Sequence, residues 1–333
     1  MSPLQLIEQH PGNKLGIRLF VKRDDLLAAQ QPDLQMSEGV ERFRHFVQGN
    51  KWRKLAPILQ QVQAGQYEGI LTYGGPFSNH LHATAAAGRL FGIPTAAIVR
   101  GLTVDANNPT LQFAQAASMQ LHHVAKRDYD QKMLSPAVAA IQSLYPAYCH
   151  LPEGGSTPES AQNCRQLAQE ILVQLETAAI RKENSLVVAV PAGTACTAAG
   201  LALGLPPNIP LLVFPAAPYG VDVSTFQAFG AGIEGGHAAT PTLITDYIFG
   251  GFAVFRPELL TFARAFKIQT GILLDPLYTV KMMYGLFDLL QSGFFPEKST
   301  VVAVHTGGLQ GWEGFRQRFG YNESWCAYTG LPS

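Results

Sequence analysis

Hydrophobic and polar positions along this chain form blocks that predict strands and helices in turn. Short apolar runs at 69–73, 94–99 and 121–124 are typical of buried strands. Between and after them, apolar residues three or four positions apart predict helices at 109–119 and 136–144. Because strands and helices alternate, this block indicates a parallel sheet that is covered by helices.

A second block of the same kind begins with a long predicted helix at 158–175. Its first strand, 185–190, is unbroken and β-branched, as is typical of a strand buried on both faces. Further strands are predicted at 210–214 and 300–304, and further helices at 198–205, 257–266 and 280–292. Before both blocks, residues 15–22 predict a strand, and the Gln-rich segment 30–39 predicts a long loop.

These blocks predict an α/β fold of two open parallel-sheet domains with helices on both faces. We place a smaller, mobile domain at 52–160 and a larger domain, formed by 1–51 and 161–333, that binds the ligand. In open parallel sheets, ligands bind at the loops that leave the carboxyl ends of the strands. Four loops with unusual residues are therefore expected to share one cleft: 73–80, 191–197, 275–279 and 305–308.

Lys51 follows a Gly-Asn turn signal and precedes apolar residues at 55, 58, 59 and 62, a spacing that predicts one face of a helix. It is therefore expected at a helix start, where the helix dipole opposes a positive charge. Lys54 comes within one turn, and a second ammonium group nearby favours the neutral amine that a nucleophile needs. An anion between the two would satisfy both charges. A solvated basic helix start is the simpler alternative.

Composition and charge restrict the classes of protein to which this chain can belong. The chain has 333 residues, is 47% hydrophobic, and balances 24 basic against 24 acidic side chains. No basic patch indicates nucleic acid or a membrane surface, and no apolar run reaches the length of a membrane span. The start of the chain lacks the apolar core of a signal peptide. The four cysteines are scattered, which argues against a metal site and favours reduced thiols in the cytoplasm.

The loop of small residues at 193–197 follows a predicted buried strand and opens a predicted helix. Its backbone N–H groups and the helix dipole are suited to a phosphate. The loop lacks the Gly-Lys-Ser/Thr of a P-loop and two glycines of a dinucleotide fingerprint, so a nicotinamide dehydrogenase is a distant alternative. The members of this candidate phosphate loop are Gly193, Thr194, Ala195, Cys196 and Thr197, and an ordinary tight turn is the other interpretation.

Other polar groups complete a candidate site. Ser78 is suited to cap a helix after a Gly-Gly turn, and Asn79 could donate to a ring oxygen. Tyr278 could act as an acid or base, although a buried tyrosine with a structural hydrogen bond is the commoner case. The hydroxyl of Thr306, in His305-Thr306-Gly307-Gly308, could meet a heteroaromatic nitrogen, or the segment could be a simple turn.

The chain contains four motifs that resemble those of the 1-aminocyclopropane-1-carboxylate deaminase and D-cysteine desulfhydrase family and that occur in the same order as in that family. That family has the tryptophan synthase β-like fold, known as fold type II, of pyridoxal-phosphate enzymes. The resemblance covers nearly the whole chain and is carried by Gly49-Asn50-Lys51-x-Arg53-Lys54-Leu55, Gly74-Gly75-x-x-Ser78-Asn79-His80, Asp275-Pro276-x-Tyr278-Thr279 and His305-Thr306-Gly307-Gly308.

The resemblance implies a role for each candidate residue. Lys51 would carry pyridoxal 5'-phosphate covalently and later move the substrate α-proton. Lys54 and the 193–197 loop would hold the phosphate, and Asn79 would bond the ring hydroxyl. The substrate would meet Ser78, Asn79, His80 and Tyr278, and the pyridine nitrogen would meet Thr306, with Thr279 as a second hydroxyl. The resemblance also implies a homodimer.

Two departures from the deaminase pattern favour the desulfhydrase branch. The deaminases have an acidic residue where this chain has Thr279, and a glutamine where it has His80. A hydroxyl at the ring nitrogen would give a weaker electron sink, which suffices when the leaving group is good. The prediction is a lyase that releases ammonia and a 2-oxo acid from a small amino acid, most simply by β-elimination from D-cysteine. Alternatives are 1-aminocyclopropane-1-carboxylate deaminase, an amino-acid racemase, or a protein that binds the cofactor or an amino acid without turnover.

Overall fold

A computed structural model of the protein describes residues 1–27, 40–103, 105–180, 185–230, 239, 241–254 and 256–319. The chain divides into two compact units, a larger one of Met1–Leu26 with Ala161–Ser333 and a smaller one of Leu27–Ser160. Leu27 and the described residues 40–51, which the sequence groups with the larger domain, fall in the smaller unit. The Gln-rich segment 30–39 lies outside the described residues.

Strands and helices alternate through most of the described chain. The strands are β1 (Leu4–Ile7), β2 (Arg18–Lys22), β3 (Gly69–Gly74), β4 (Thr95–Arg100), β5 (Gln120–Val124), β6 (Tyr148–Leu151), β7 (Leu186–Ala192), β8 (Leu211–Pro215), β9 (Pro241–Leu243) and β10 (Thr300–Val304). The helices are α1 (Gly49–Gln63), α2 (Asn79–Phe91), α3 (Pro109–Ala116), α4 (Lys126–Gln131), α5 (Pro136–Gln142), α6 (Pro158–Thr177), α7 (Cys196–Gly204), α8 (Val223–Gly230), α9 (Pro257–Thr270), α10 (Thr279–Gln291) and α11 (Gly311–Phe319).

The smaller unit is built on a parallel sheet of four strands in the order β5-β4-β3-β6. Alternate strand residues point to opposite faces, and each face is covered by helices. Ile70 and Ala97 pack with α1, α2 and α3, whereas Leu71 and Ile98 pack with α4 and α5. The strand order reverses at β3, and such a switch point leaves a crevice at the carboxyl ends of the strands.

The larger unit is built on a six-stranded sheet in the order β1-β2-β10-β7-β8-β9. All its pairs are parallel except β1 with β2, so an antiparallel strand forms one edge. Val187 and Val301 pack on one face with α9, α10 and α11. Val188 and Val302 pack on the other face with α6 and α7. The strand order reverses between β7 and β10, which places a second switch point in this unit.

The predicted α/β fold with parallel sheets and helices on both faces is confirmed. One expectation about the loops is wrong: Asp275–Thr279 does not leave a strand, because it lies in the connection from α9 to α10. No helix within the described ranges is long and apolar enough to cross a membrane.

Candidate active site

Lys51 lies in the first turn of α1, as predicted. Gly49, the first residue of this helix, has φ +59°, a conformation that glycine adopts without strain. The Lys51 ammonium donates a hydrogen bond to Asn50 Oδ1 at 3.0 Å. The residue is half-buried, and this hydrogen bond holds its amine at the helix start.

Lys54 is almost fully buried one turn further along α1. Its ammonium donates to the carbonyl oxygen of Gly154 at 3.0 Å, and no carboxylate pairs with it among the residues that the structure describes. A buried ammonium is costly unless its charge and its hydrogens find partners. An anion would supply both, so the surroundings of Lys54 fit a phosphate group.

Ser78 is the N-cap residue of α2, as predicted. Its Oγ accepts the backbone N–H of Leu81 at 3.2 Å. The turn before it requires glycine, because a Cβ on Gly74 would come within 2.9 Å of the Ser78 Cβ. Asn79, the first residue of the helix, is buried. Both residues follow β3, at the switch point of the smaller sheet.

The side chain of His80, the second residue of α2, points from the helix towards Thr72 in β3. Its Nε2 lies 2.8 Å from Thr72 Oγ1, and that hydroxyl donates its hydrogen to the Leu151 carbonyl at 3.0 Å. The Nε2 of His80 must therefore carry the proton and donate, which leaves Nδ1 as an acceptor. Nδ1 is buried and has no hydrogen-bond partner among the residues described.

Burial holds the pKa of His80 well below its usual value, and the Lys51 and Lys54 ammonium groups lower it further. His80 is therefore neutral. The resemblance implies that His80 meets the substrate, whereas in the structure its ring packs against Thr72 and the Gly154–Gly155 turn. Only Gly fits at 155, because a Cβ there would come within 2.8 Å of the His80 ring.

The candidate phosphate loop joins β7 to α7 at the switch point of the larger sheet. Ala195 is the N-cap residue of α7 and has φ +58°, which costs an L-residue roughly 1–2 kcal/mol. Alanine offers no side-chain acceptor to the N–H groups of the first turn. A helix start of this kind is suited to an anion. The helix begins at Cys196, two residues before the predicted start, and its small side chains are buried.

Tyr278 lies against this loop. A Cβ on Gly193 would come within 3.0 Å of the Tyr278 Cε1 atom and 3.3 Å of its hydroxyl oxygen. The Phe252 ring also packs against the Tyr278 ring, with 5.8 Å between ring centroids. The structure therefore brings the predicted tyrosine to the predicted phosphate loop within the larger unit.

Thr279 is held inside the turn before α10. Its hydroxyl donates to Asp275 Oδ1 at 2.7 Å and accepts the backbone N–H of Asp275 at 2.7 Å. The Asp275 carboxylate also accepts three backbone N–H groups, from residues 277, 278 and 279. Burial raises the pKa of Asp275, and these hydrogen bonds oppose that shift. The hydroxyl hydrogen that the sequence analysis assigns to a ring nitrogen is therefore already donated to Asp275.

Thr306 follows β10, next to β7 in the sheet, so it lies at the same edge as the phosphate loop. His305 before it donates Nε2–H to the Leu273 carbonyl at 2.8 Å and accepts the Gly307 N–H at Nδ1, at 3.1 Å. His305 thus fixes the backbone on both sides of Thr306. This leaves Thr306 as the threonine better suited to a ring nitrogen.

Sequence reasoning missed several residues that support this site. The Gly154 carbonyl holds Lys54, Thr72 fixes the His80 tautomer, and Asp275 organises the turn that carries Tyr278. The adjacent glycines 154 and 155 were a usable signal, because a Gly-Gly pair predicts a turn. In the structure both have positive φ. No local sequence signal indicates that Thr72 has a role, because it lies in the middle of an ordinary strand.

Within each unit the donor groups suit a phosphorylated aromatic cofactor. The smaller unit supplies the amine of the half-buried Lys51, a buried ammonium on Lys54 and the amide of Asn79. The larger unit supplies an uncapped helix start at Ala195 and a hydroxyl on Thr306. No group of three or more His, Cys, Asp or Glu side chains in the described chain could hold a metal ion.

Comparisons with known proteins agree with this chemistry. The family model of pyridoxal-phosphate dependent enzymes matches residues 41–307. A protein of Pyrococcus horikoshii, provisionally named a 1-aminocyclopropane-1-carboxylate deaminase, is 27% identical over 322 residues, which cover 93% of this chain and 90% of that protein. A protein of Pyrococcus abyssi with the same provisional name is 26% identical over 326 residues, with the same two coverages.

Solved structures of similar fold include relatives of the same kind. A structure described as an ACC deaminase homologue superposes with a TM-score of 0.70 at 25% identity, covering 93% of this chain and 90% of that one. A hydrogen sulfide-producing enzyme from Fusobacterium nucleatum has a TM-score of 0.62 at 12% identity, covering 93% and 96%, and so shares the fold. The fold type II resemblance and the cofactor prediction are confirmed: the chain belongs to the family of pyridoxal-phosphate dependent enzymes.

Proposed function

We propose that this protein is a pyridoxal-phosphate lyase that releases ammonia and a 2-oxo acid from a small amino acid, with D-cysteine as the first candidate substrate. The observation that carries the proposal is the pair of lysines in α1. The half-buried Lys51, whose amine is bonded to Asn50, lies one turn before the buried Lys54 ammonium, which has no carboxylate partner among the residues described. A nucleophile beside an anion subsite is what covalent binding of a phosphorylated aldehyde requires.

The candidate residues divide the work of holding the cofactor. Lys51 Nζ would attach it, and Lys54 with the first turn of α7 would hold its phosphate. The Asn79 amide would bond the ring hydroxyl, and the Thr306 hydroxyl would meet the ring nitrogen. When bound, pyridoxal phosphate supplies an electron sink for the charge that remains when the substrate loses its α-proton.

The chemistry on the substrate falls to three side chains. Lys51 Nζ would accept the α-proton once the substrate amine has displaced it. Ser78 would face the substrate carboxylate, and Tyr278 would also face the substrate. Loss of hydrogen sulfide from D-cysteine, followed by addition of water and loss of ammonia, gives pyruvate. The support for D-cysteine is the resemblance, in which Thr279 replaces an acidic residue and His80 replaces a glutamine.

Deamination of 1-aminocyclopropane-1-carboxylate to 2-oxobutanoate and ammonia is the second candidate. The names of the two Pyrococcus relatives favour it, although both names are provisional. A homodimer forms part of the same proposal and is supported by the family resemblance. Light scattering of the purified protein would test it.

The first experiment is the visible absorption spectrum of the purified protein with Lys51→Ala and Lys126→Ala beside it. We expect a yellow cofactor band in the wild type and in Lys126→Ala, because the Lys126 side chain is 76% exposed in the smaller unit. The band should be lost in Lys51→Ala. A wild type that remains colourless when pyridoxal phosphate is added would refute the site.

The second experiment identifies the reaction. The protein is incubated with D-cysteine, L-cysteine, β-chloroalanine and 1-aminocyclopropane-1-carboxylate, and 2-oxo acid, sulfide and ammonia are measured. Pyruvate and sulfide from D-cysteine would support the proposal, and 2-oxobutanoate would support the second candidate. A spectral change without any 2-oxo acid would instead indicate binding without elimination, and optical rotation would then test for racemisation.

A further inference from the structure

Lys281 lies where a positive charge is unfavourable for two reasons. It is in the first turn of α10, where the helix dipole opposes a cation, and it is only 2% exposed. Burial lowers its pKa to about 8, and the charge of Asp275 opposes that shift. Strong acceptors must therefore surround the ammonium group near neutral pH.

Three backbone carbonyl oxygens supply that surrounding. Lys281 Nζ lies 2.7 Å from the oxygen of Gly251, 2.9 Å from that of Ile248 and 3.4 Å from that of Ala216. An ammonium group has three hydrogens, so each carbonyl accepts one. The oxygens come from two separate segments, one directly after β8 and one between β9 and α9. We call these three carbonyls, of Ala216, Ile248 and Gly251, the carbonyl cage.

The backbone of the second segment is strained. Phe249 and Ala253 have φ of +57° and +56°, although neither is glycine, and Gly250 and Gly251 have φ of +90° and +122°. Such conformations persist only where the surrounding structure fixes them. The ammonium group of Lys281 is a source of that constraint, because it binds the carbonyls on both sides of Phe249 and Gly250.

We infer that the carbonyl cage is a monovalent-cation site that this chain fills with its own Lys281 ammonium group. Its three oxygens are neutral, whereas divalent ions favour sites rich in carboxylates. Carbonyl oxygens that converge on one point are the ligands that replace the hydration shell of a potassium ion in proteins. An ammonium ion carries the same charge as the lysine head group and donates through N–H groups as well, with four hydrogens where lysine has three.

This site is connected to the candidate active site through one residue. Gly251 precedes Phe252, whose ring packs on Tyr278, and Tyr278 lies three residues before Lys281. The cation in the cage therefore holds a loop that supports the Tyr278 ring. The inference about the cation does not depend on which substrate the protein uses.

The test compares melting temperatures of the full-length wild type, Lys281→Ala and Lys126→Ala in different chloride salts at matched ionic strength. In tetramethylammonium chloride, which has no N–H donors, Lys281→Ala should melt several degrees below the wild type, because buried carbonyls lose their donors. Ammonium chloride should restore the melting temperature of Lys281→Ala, and potassium chloride should do so to a smaller extent. In both salts the gain should level off as the salt concentration rises. The wild type and Lys126→Ala should melt at one temperature in all these salts.

Two results would overturn the inference. One is a Lys281→Ala protein that melts alike in ammonium and tetramethylammonium chloride. The other is a wild type that gains as much from ammonium as the variant does. Should the variant be insoluble when it is made, refolding from urea decides: recovery in ammonium chloride alone supports the cation site, and failure in both salts overturns it.

A direct measurement is available in crystals of Lys281→Ala grown with rubidium chloride. An anomalous scattering peak among the oxygens of residues 216, 248 and 251 is expected, with no such peak in the wild type. A well-ordered cage without the ion would count against the inference.

Discussion

The phenol ring of Tyr278 lies so close to Gly193 that a Cβ at position 193 would come within 3.0 Å of its Cε1 atom. This contact joins two segments of the larger unit that are 85 positions apart in sequence, since 278 − 193 = 85. One segment leads into α7 and the other into α10, so each helix start constrains the other. The candidate phosphate loop and the candidate substrate-facing tyrosine therefore respond together to substitution.

Gly193→Ala should lower both the free energy of unfolding and the turnover of substrate. The new Cβ would meet Tyr278 Cε1 at 3.0 Å, so the ring must move or the loop must shift. Overpacking of this kind costs about 1–3 kcal/mol, and we expect a loss in kcat/KM of roughly tenfold or more. Gly230→Ala is the matched control, because a Cβ there meets nothing within 4 Å. Equal kinetics in both variants would contradict the contact.

Lys54→Met should weaken binding of pyridoxal phosphate but not of pyridoxal, which has no phosphate. A charge-assisted hydrogen bond contributes about 1.5–3 kcal/mol, so the dissociation constant should rise by roughly tenfold to a hundredfold. Absorbance titrations of the apoprotein with each aldehyde measure both affinities. If the two ligands weaken equally, Lys54 acts on something other than the phosphate.

Thr279→Val and Thr306→Val should have different effects. Thr279 exchanges two hydrogen bonds with buried Asp275, so its loss should lower the free energy of unfolding by about 1–3 kcal/mol. Thr306→Val should leave stability nearly unchanged and alter the cofactor spectrum and turnover. Urea unfolding and absorbance are measured for both. A spectral change confined to Thr279→Val would return the ring-nitrogen role to that residue.

Acid should destabilise the smaller unit through its buried histidines. Burial lowers the pKa of His82 to about 3, and the pKa of His80 is also lowered. Since the folded state favours the neutral rings, their contribution is full above pH 6.5 and is lost as pH falls from 6.5 towards 3. Each group can account for about 1.4 kcal/mol per pH unit in that window.

His82→Phe separates this contribution from the general effect of acid. The His82 ring stacks on Phe113 with 3.9 Å between centroids, and phenylalanine keeps an aromatic ring there without a titrating group. Urea unfolding at several pH values should give a shallower slope for the variant between pH 6.5 and 4. The same slope in both proteins would show that His82 does not titrate on unfolding.

The elements with strong local signals could be predicted from the sequence. The unbroken apolar run 300–304 matches β10 residue for residue, and Ser78 caps α2 as its place after two glycines suggests. The short edge strands β1 and β9 and the strand β6 were not anticipated. Residues 148–151 alternate polar and apolar side chains weakly, and β6 depends on its pairing with β3 rather than on its own pattern.

The roles of individual side chains were harder to predict, because they depend on contacts that are distant in sequence. His80 turns towards Thr72 and Gly155 rather than away from the sheet, and only the folded smaller unit supplies those neighbours. Thr279 has a partner four residues away, but the sequence alone could not distinguish donation to Asp275 from donation to a ligand. Nothing local distinguishes Lys281 from an ordinary helix lysine, because its three carbonyl partners lie at least 30 positions away in sequence.

The pairing of β2 with β10 also fixes the order in which the protein can be completed on the ribosome. Arg18 and Thr300, which face each other in this pair, are 282 positions apart in sequence. The smaller unit is continuous from Leu27 to Ser160, so its sheet can close while the rest of the chain is still being made. Strand β2 meanwhile waits with one edge unpaired, a state prone to aggregation. A nascent chain released before β10 is made would therefore contain a folded smaller unit together with a strand whose unpaired edge is prone to aggregation.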